Sequence, residues 1–101
     1  MNMFESIGLT IEEREEIIDK YDASFLKEII ENKELFLQNY EIFMKHDFSN
    51  YINDIVLRYL PIFIIEPCVL EGKIIELINV HGNNYVDIIS KNMELLEVLL
   101  W

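Results

Sequence analysis

Apolar side chains recur at helical spacing along almost the whole chain, and most of the polar residues that interrupt them are helix caps or stops. Thr10-Ile11-Glu12-Glu13 has the form of a capping box, a hydroxyl with a carboxylate three residues on, and opens a helix predicted to reach about Tyr21. Glu12, Glu13, Glu15 and Glu16 crowd its first turns, where negative charge complements the helix N-terminus; they are expected all round the helix rather than converging on a metal. Ser24 can cap a short helix holding Phe25, Leu26, Ile29 and Ile30, and Asn32 another to about Met44, unless Ser24 to His46 is one continuous helix. Ser49 caps the next, with Ile52, Ile55, Val56 and Tyr59 on one face until Pro61 ends it. Pro67 suits the first turn of a helix carrying Leu70, Ile74, Leu77 and Ile78. Gly82-Asn83-Asn84 is a stop followed by a start, with short helices predicted over Tyr85–Lys91 and Met93–Leu100. Leu60-Pro-Ile-Phe-Ile-Ile65 would have no strand to pair with, so it reads as a short buried turn of helix.

The pattern predicts an all-α fold of five to seven short helices in a single domain. Val56 and Leu77 lie on its apolar stripes, and truncating either to alanine is expected to cost roughly 2–4 kcal/mol.

Composition narrows the class. The 101 residues include 19 acidic and 8 basic side chains, a formal charge of −11, and 51% are hydrophobic. That is too apolar for a disordered acidic tail, and 3 Gly with 2 Pro exclude linker and collagen-like chains. So few cations argue against a nucleic-acid binder, which needs clustered Lys and Arg for phosphates. Cys68 is the single cysteine, so an intramolecular disulfide is impossible and a reducing compartment is expected. The N-terminus lacks the basic and apolar regions of a signal peptide, and Leu60–Ile65, the longest uncharged apolar run, is far short of the roughly 20 residues of a membrane span. A cytoplasmic protein with no membrane association is expected.

The chain also resembles itself. An offset of 35 lays Glu31–His46 over Glu66–His81, matching Leu35 with Leu70, Glu41 with Glu76 and His46 with His81. Ile17-Ile18 with Tyr21 and Phe25 matches Ile55-Val56 with Tyr59 and Phe63, and Asp54-Ile55-Val56 matches Asp87-Ile88-Ile89. Offsets of 33–38 suit two and a half stacked helical units, over 8–46, 47–81 and 82–101. Ile55-Val56-Leu57-Arg58-Tyr59-Leu60-Pro61-Ile62-Phe63, then Ile74-Ile75-Glu76-Leu77 and the His81-Gly82 turn, resemble the repeat of the mitochondrial transcription termination factor family over about residues 46–96. The resemblance implies a curved array of helix triplets. In that family a basic concave face binds nucleic acid. Here only Arg58, Lys73 and Lys91 are basic from Ser49 onward, so none of the family's binding residues carries over.

Motifs of catalysis are missing from the sequence: it has no P-loop, GxGxxG, HExxH, CxxC or GxSxG. His46 and His81 follow long helices, where an imidazole suits the terminal carbonyls. Cys68 beside Pro67 reads as a small core residue, and Arg58 as a solvated arginine. No enzyme activity, cofactor or metal is expected. Phe36, Tyr51 and Tyr85 are candidate interface anchors outside the apolar stripes. Leu95–Trp101 holds five aliphatics and a tryptophan with a single charge; internal docking of Leu96, Leu99, Leu100 and Trp101 is favoured. The competing role makes Leu99 and Trp101 interface residues, for a partner or for a homo-oligomer through the C-terminal helix. The leading functional expectation is a small non-enzymatic module whose acidic surface docks a basic protein partner, as an inhibitor or immunity protein does. A nucleic-acid-binding helical repeat and a self-associating structural subunit are the alternatives.

Overall fold

The computed structural model of the chain describes residues 2–100, and every regular element among them is helical. The first helix, α1 (Asn2–Ser6), was not among those predicted. It ends where Gly8 takes the left-handed conformation (φ +86°), so that the Leu9 amide donates to the Phe4 carbonyl and the Gly8 amide to that of Glu5. The capping box then starts α2 (Ile11–Lys20): the Glu13 amide donates to Thr10 Oγ1 at 3.1 Å, and the Thr10 amide to Glu13 Oε1 at 2.9 Å.

The next two helices are separate. The cap of α3 (Ala23–Glu31) is Asp22 rather than Ser24; its carboxylate accepts from the Phe25 amide at 2.8 Å and from the Ser24 hydroxyl at 2.9 Å. Asn32 ends α3 and does not cap the helix after it. Its amide and its Nδ2 both donate to the Glu28 carbonyl, and α4 (Lys33–Lys45) starts after this break without a side-chain cap. Likewise α5 (Ile52–Arg58) begins after Tyr51 with no hydrogen bond from Ser49, and α7 (Tyr85–Lys91) with none from Asn84. Pro67 is the first residue of α6 (Pro67–His81), as its lost amide donor allows.

Three 3-10 segments complete the described residues. Leu60–Ile64 is the short buried turn the sequence suggested, and Gly82–Asn84 joins α6 to α7. The third, Met93–Leu100, was expected as an α-helix. A 3-10 helix has three residues per turn, so Met93, Leu96 and Leu99 fall on one buried face while Val98 and Leu100 stay exposed. Docking is therefore internal for Leu96 and Leu99 but not for Leu100; Trp101 lies outside the described residues.

Aromatic rings run through the core as a continuous series from α1 to α7. Phe4 meets Phe36 edge to face at 5.7 Å, Phe36 stacks on Phe63 at 5.0 Å, and Phe63 meets Phe43 at 5.3 Å. Phe43 meets Phe48 at 5.7 Å, and Phe48 meets Tyr85 at 5.9 Å. Offset and edge-to-face pairs of this kind contribute about 0.5–1.5 kcal/mol each beyond their burial. The aliphatic residues around this series form one contiguous core, and the Cα radius of gyration of 13.3 Å is that of a globular single domain. Val56 is fully buried in it, but Leu77 is only half-buried, which lowers the cost expected of its truncation.

Candidate functional site

Helix α2 is held at both ends, and its cations serve that purpose. Arg14 pairs with Glu5 of α1 at 3.1 Å. Lys20 Nζ donates to the Leu57 and Arg58 carbonyls at 3.2 Å each, closing the C-terminus of α5, and lies 5.4 Å from the centre of the Tyr21 ring. Ile17 faces the core, and Glu13 is occupied by the capping box.

The remaining side chains point outward. At 3.6 residues per turn Glu12, Glu15, Glu16 and Asp19 fall within roughly 100° of arc opposite Ile17, contrary to the expectation that the glutamates spread all round. All four are exposed, border one shallow depression, and have no ion-pair partner among the described residues. Ile11 and Ile18, two turns apart, form an apolar edge to this strip and are 61% and 52% exposed. On the other side Glu16 and Lys20 face Asp54, Leu57 and Arg58 of α5 across a narrow groove. Arg58 is exposed, as read from the sequence. The carboxylates diverge: no group of three potential ligands that could hold a metal ion occurs among the described residues. Helical arithmetic applied to Glu12, Glu15, Glu16 and Asp19 would have located this face from the sequence.

A second polar cluster joins α4, α6 and α7. Glu71 Oε2 accepts from Lys45 Nζ at 3.0 Å and contacts His46 Nε2 at 3.0 Å. These two partners hold the Glu71 carboxyl below the usual glutamate range. The Tyr85 hydroxyl donates to the His46 carbonyl at 2.8 Å, and burial foremost, then the nearby Asp47 carboxylate, pushes its titration up. His46 thus sits at a helix C-terminus as expected, as does His81, the last residue of α6. The cluster's hydrogen bonds tie three helices together.

The predicted interface anchors are scattered. Phe36 shares the inward face of α4 with Asn39 and Phe43 and is fully buried in the aromatic series, so it cannot meet a partner. Leu99 is fully buried because 3-10 winding puts it on the same face as Met93 and Leu96. Tyr51 is half-buried before α5, and Tyr85 is half-buried with its ring on Phe48 and its hydroxyl satisfied internally. Cys68 is exposed rather than in the core, because its position on α6 turns it away from Leu70 and Ile74; its Sγ donates to Glu66 at 3.4 Å.

No helix of the described residues is long and apolar enough to cross a membrane. No family model, curated protein or solved structure matches the chain.

Proposed function

We propose that this chain is a non-enzymatic interaction module that docks a basic protein surface through the outward face of α2. One observation carries the reading: Glu12, Glu15, Glu16 and Asp19 share one face beside exposed Ile11 and Ile18, while the nearest α2 cations, Arg14 and Lys20, are engaged elsewhere. A strip of one sign accelerates encounter with the opposite sign, and a flanking apolar edge adds contact area once the partner has arrived. The overall charge of −11 acts in the same direction at long range and repels nucleic acid. An occupant of this kind blocks whatever its basic partner otherwise binds, which is how an inhibitor or immunity protein works.

The helical-repeat architecture belongs to the same proposal. What supports it is that α5 and α7 each span 7 residues, and an offset of 33 carries Ile52–Arg58 onto Tyr85–Lys91 and Leu60 onto Met93, where each 3-10 segment begins.

Capture from a host lysate, read by mass spectrometry, tests the function. The bait is compared with a face variant (Glu12→Gln, Glu15→Gln, Glu16→Gln, Asp19→Asn) and with a control that loses the same charge elsewhere (Glu28→Gln, Glu34→Gln, Glu41→Gln, Glu97→Gln). The expected result is a small set of basic proteins retained by the native bait and the control and lost by the face variant. Equal capture by all three, or equal loss in both variants, would contradict the assignment to α2.

A further inference from the structure

The outward face of α2 has an apolar edge beside its charged one, and the spacing of both is that of a helix contact. Ile11 and Ile18 stand seven residues apart, about 10 Å along the axis. Between them lie Arg14 and Glu15, so the four residues occupy i, i+3, i+4 and i+7. That is the outline of the hole that receives one side chain from an apposed helix. The two isoleucines close its ends, and the stems of Arg14 and Glu15 form its sides. Ile11, Glu15 and Ile18 are exposed, which leaves the hole open among the described residues.

Charge is placed on one flank of this hole. Glu12 and Asp19 are also seven residues apart, level with Ile11 and Ile18, and Glu16 lies beyond them towards Asp54 of α5. On the other flank Arg14 is engaged by Glu5 of α1 at 3.1 Å. An occupant is therefore drawn to set cations along a single side. A second copy of this chain, at −11, is repelled.

The main chain narrows the occupant further. As a helix, α2 uses its amides and carbonyls internally and offers no strand edge for an extended peptide to pair with. Ile11–Lys20 contains no aromatic ring, so it has none of the slots that hold a polyproline segment. An apposed helix satisfies its own main chain and presents side chains at the spacing of the hole.

Given the α2 docking proposed above, on which this rests, we infer that the partner's contact element is a single basic amphipathic helix. It lies along α2 with one apolar side chain seated between Ile11 and Ile18. Its Lys or Arg residues follow the flank that faces Glu12, Glu15 and Asp19. The apolar seat is small, so opposite charge supplies most of the attraction, and the complex is transient and salt-sensitive.

Calorimetric titration of the full chain at low salt, with three synthetic peptides of identical composition, tests this. The first is a lysine–leucine peptide patterned as an amphipathic helix. The second has the same sequence with D-residues at two central positions, which break the helix. The third is a scrambled L-peptide whose leucines form no stripe. The chain should bind the first at least roughly tenfold more tightly than either of the others. Replacing both isoleucines (Ile11→Ser, Ile18→Ser) should erase that preference and leave binding of the scrambled peptide unchanged, with thermal denaturation confirming an intact fold. The α2 face variant should weaken binding of all three. Equal binding of the three peptides that the face variant weakens would overturn the helix inference and leave the α2 docking standing. A preference that survives the double serine variant would also overturn the inference. Binding that the face variant does not weaken, or no binding of any peptide, would overturn both.

Discussion

Asn39, fully buried in the middle of α4, donates its Nδ2 to the main-chain carbonyl of Phe63 at 2.8 Å. The same nitrogen reaches the Ile65 carbonyl at 2.7 Å, so one side chain satisfies two acceptors of the 3-10 segment and its exit. Only the amide nitrogen can face two carbonyls, which fixes the orientation of the group. Asn39→Ala removes both bonds and leaves the Phe63 carbonyl buried without a donor. It should destabilise by about 2–4 kcal/mol in urea denaturation, well above the median substitution. A loss under about 0.5 kcal/mol would mean that the segment is held by packing alone.

Asp47 adopts a left-handed conformation (φ +69°) at the end of α4, where the Phe48 amide donates to the Phe43 carbonyl and the Asp47 amide to that of Met44. Glycine is the residue best suited to that backbone, and a carboxylate beside a helix C-terminus opposes the helix dipole. Asp47→Gly should raise stability by up to about 1 kcal/mol, and Asp47→Val should lower it. Thermal denaturation of the two variants checks the sign.

The Lys45–Glu71–His46 junction gives the fold an acid limb. Glu71 has its carboxyl held down by Lys45 first and then His46, so the stabilisation is present above the ordinary glutamate value and disappears as the pH falls through the depressed one. Asp22, held down first by the Phe25 amide and then by the Ser24 hydroxyl, acts in the same direction. Glu71→Gln should therefore be less stable than the native chain at neutral pH and indistinguishable from it in strong acid. A difference in stability that does not change with pH would show that the carboxylate charge contributes nothing.

Burial separates two positions that the sequence treats as equals. Val56→Ala should cost about 2 kcal/mol, since the site is fully buried, and half-buried Leu77→Ala about 1 kcal/mol. Equal losses in urea denaturation would place Leu77 in the core.

The helices were legible because periodicity and caps agree with each other: Thr10 with Glu13, Pro67 at a first turn, and Asn32 at a break. What periodicity does not report is pitch. Met93–Leu100 reads as α-helical on its apolar content, and only the spacing of three between Met93, Leu96 and Leu99 betrays the 3-10 winding that buries Leu99 and exposes Leu100. Helix α1 was missed because five residues carry too little pattern, although Gly8 marked its end. Polar residues that form caps in isolation were overruled locally: Asp22 sits two residues ahead of Ser24 and captures both the helix start and the Ser24 hydroxyl. Of the candidate anchors, Phe36 was misjudged for a related reason. Phe36 is one aromatic among several at helical spacing, and its contacts with Phe4 and Phe63 come from segments distant in sequence.

The most direct measurement of the α2 assignment is a two-dimensional 1H–15N NMR titration of the native chain with a lysine-rich amphipathic peptide, at low and physiological salt. Amide shifts are expected to concentrate on residues 11–20 and on the facing side of α5 around Asp54 and Arg58, and to diminish as salt is added. Shifts spread over all the acidic surface alike, or centred on another helix, would contradict it.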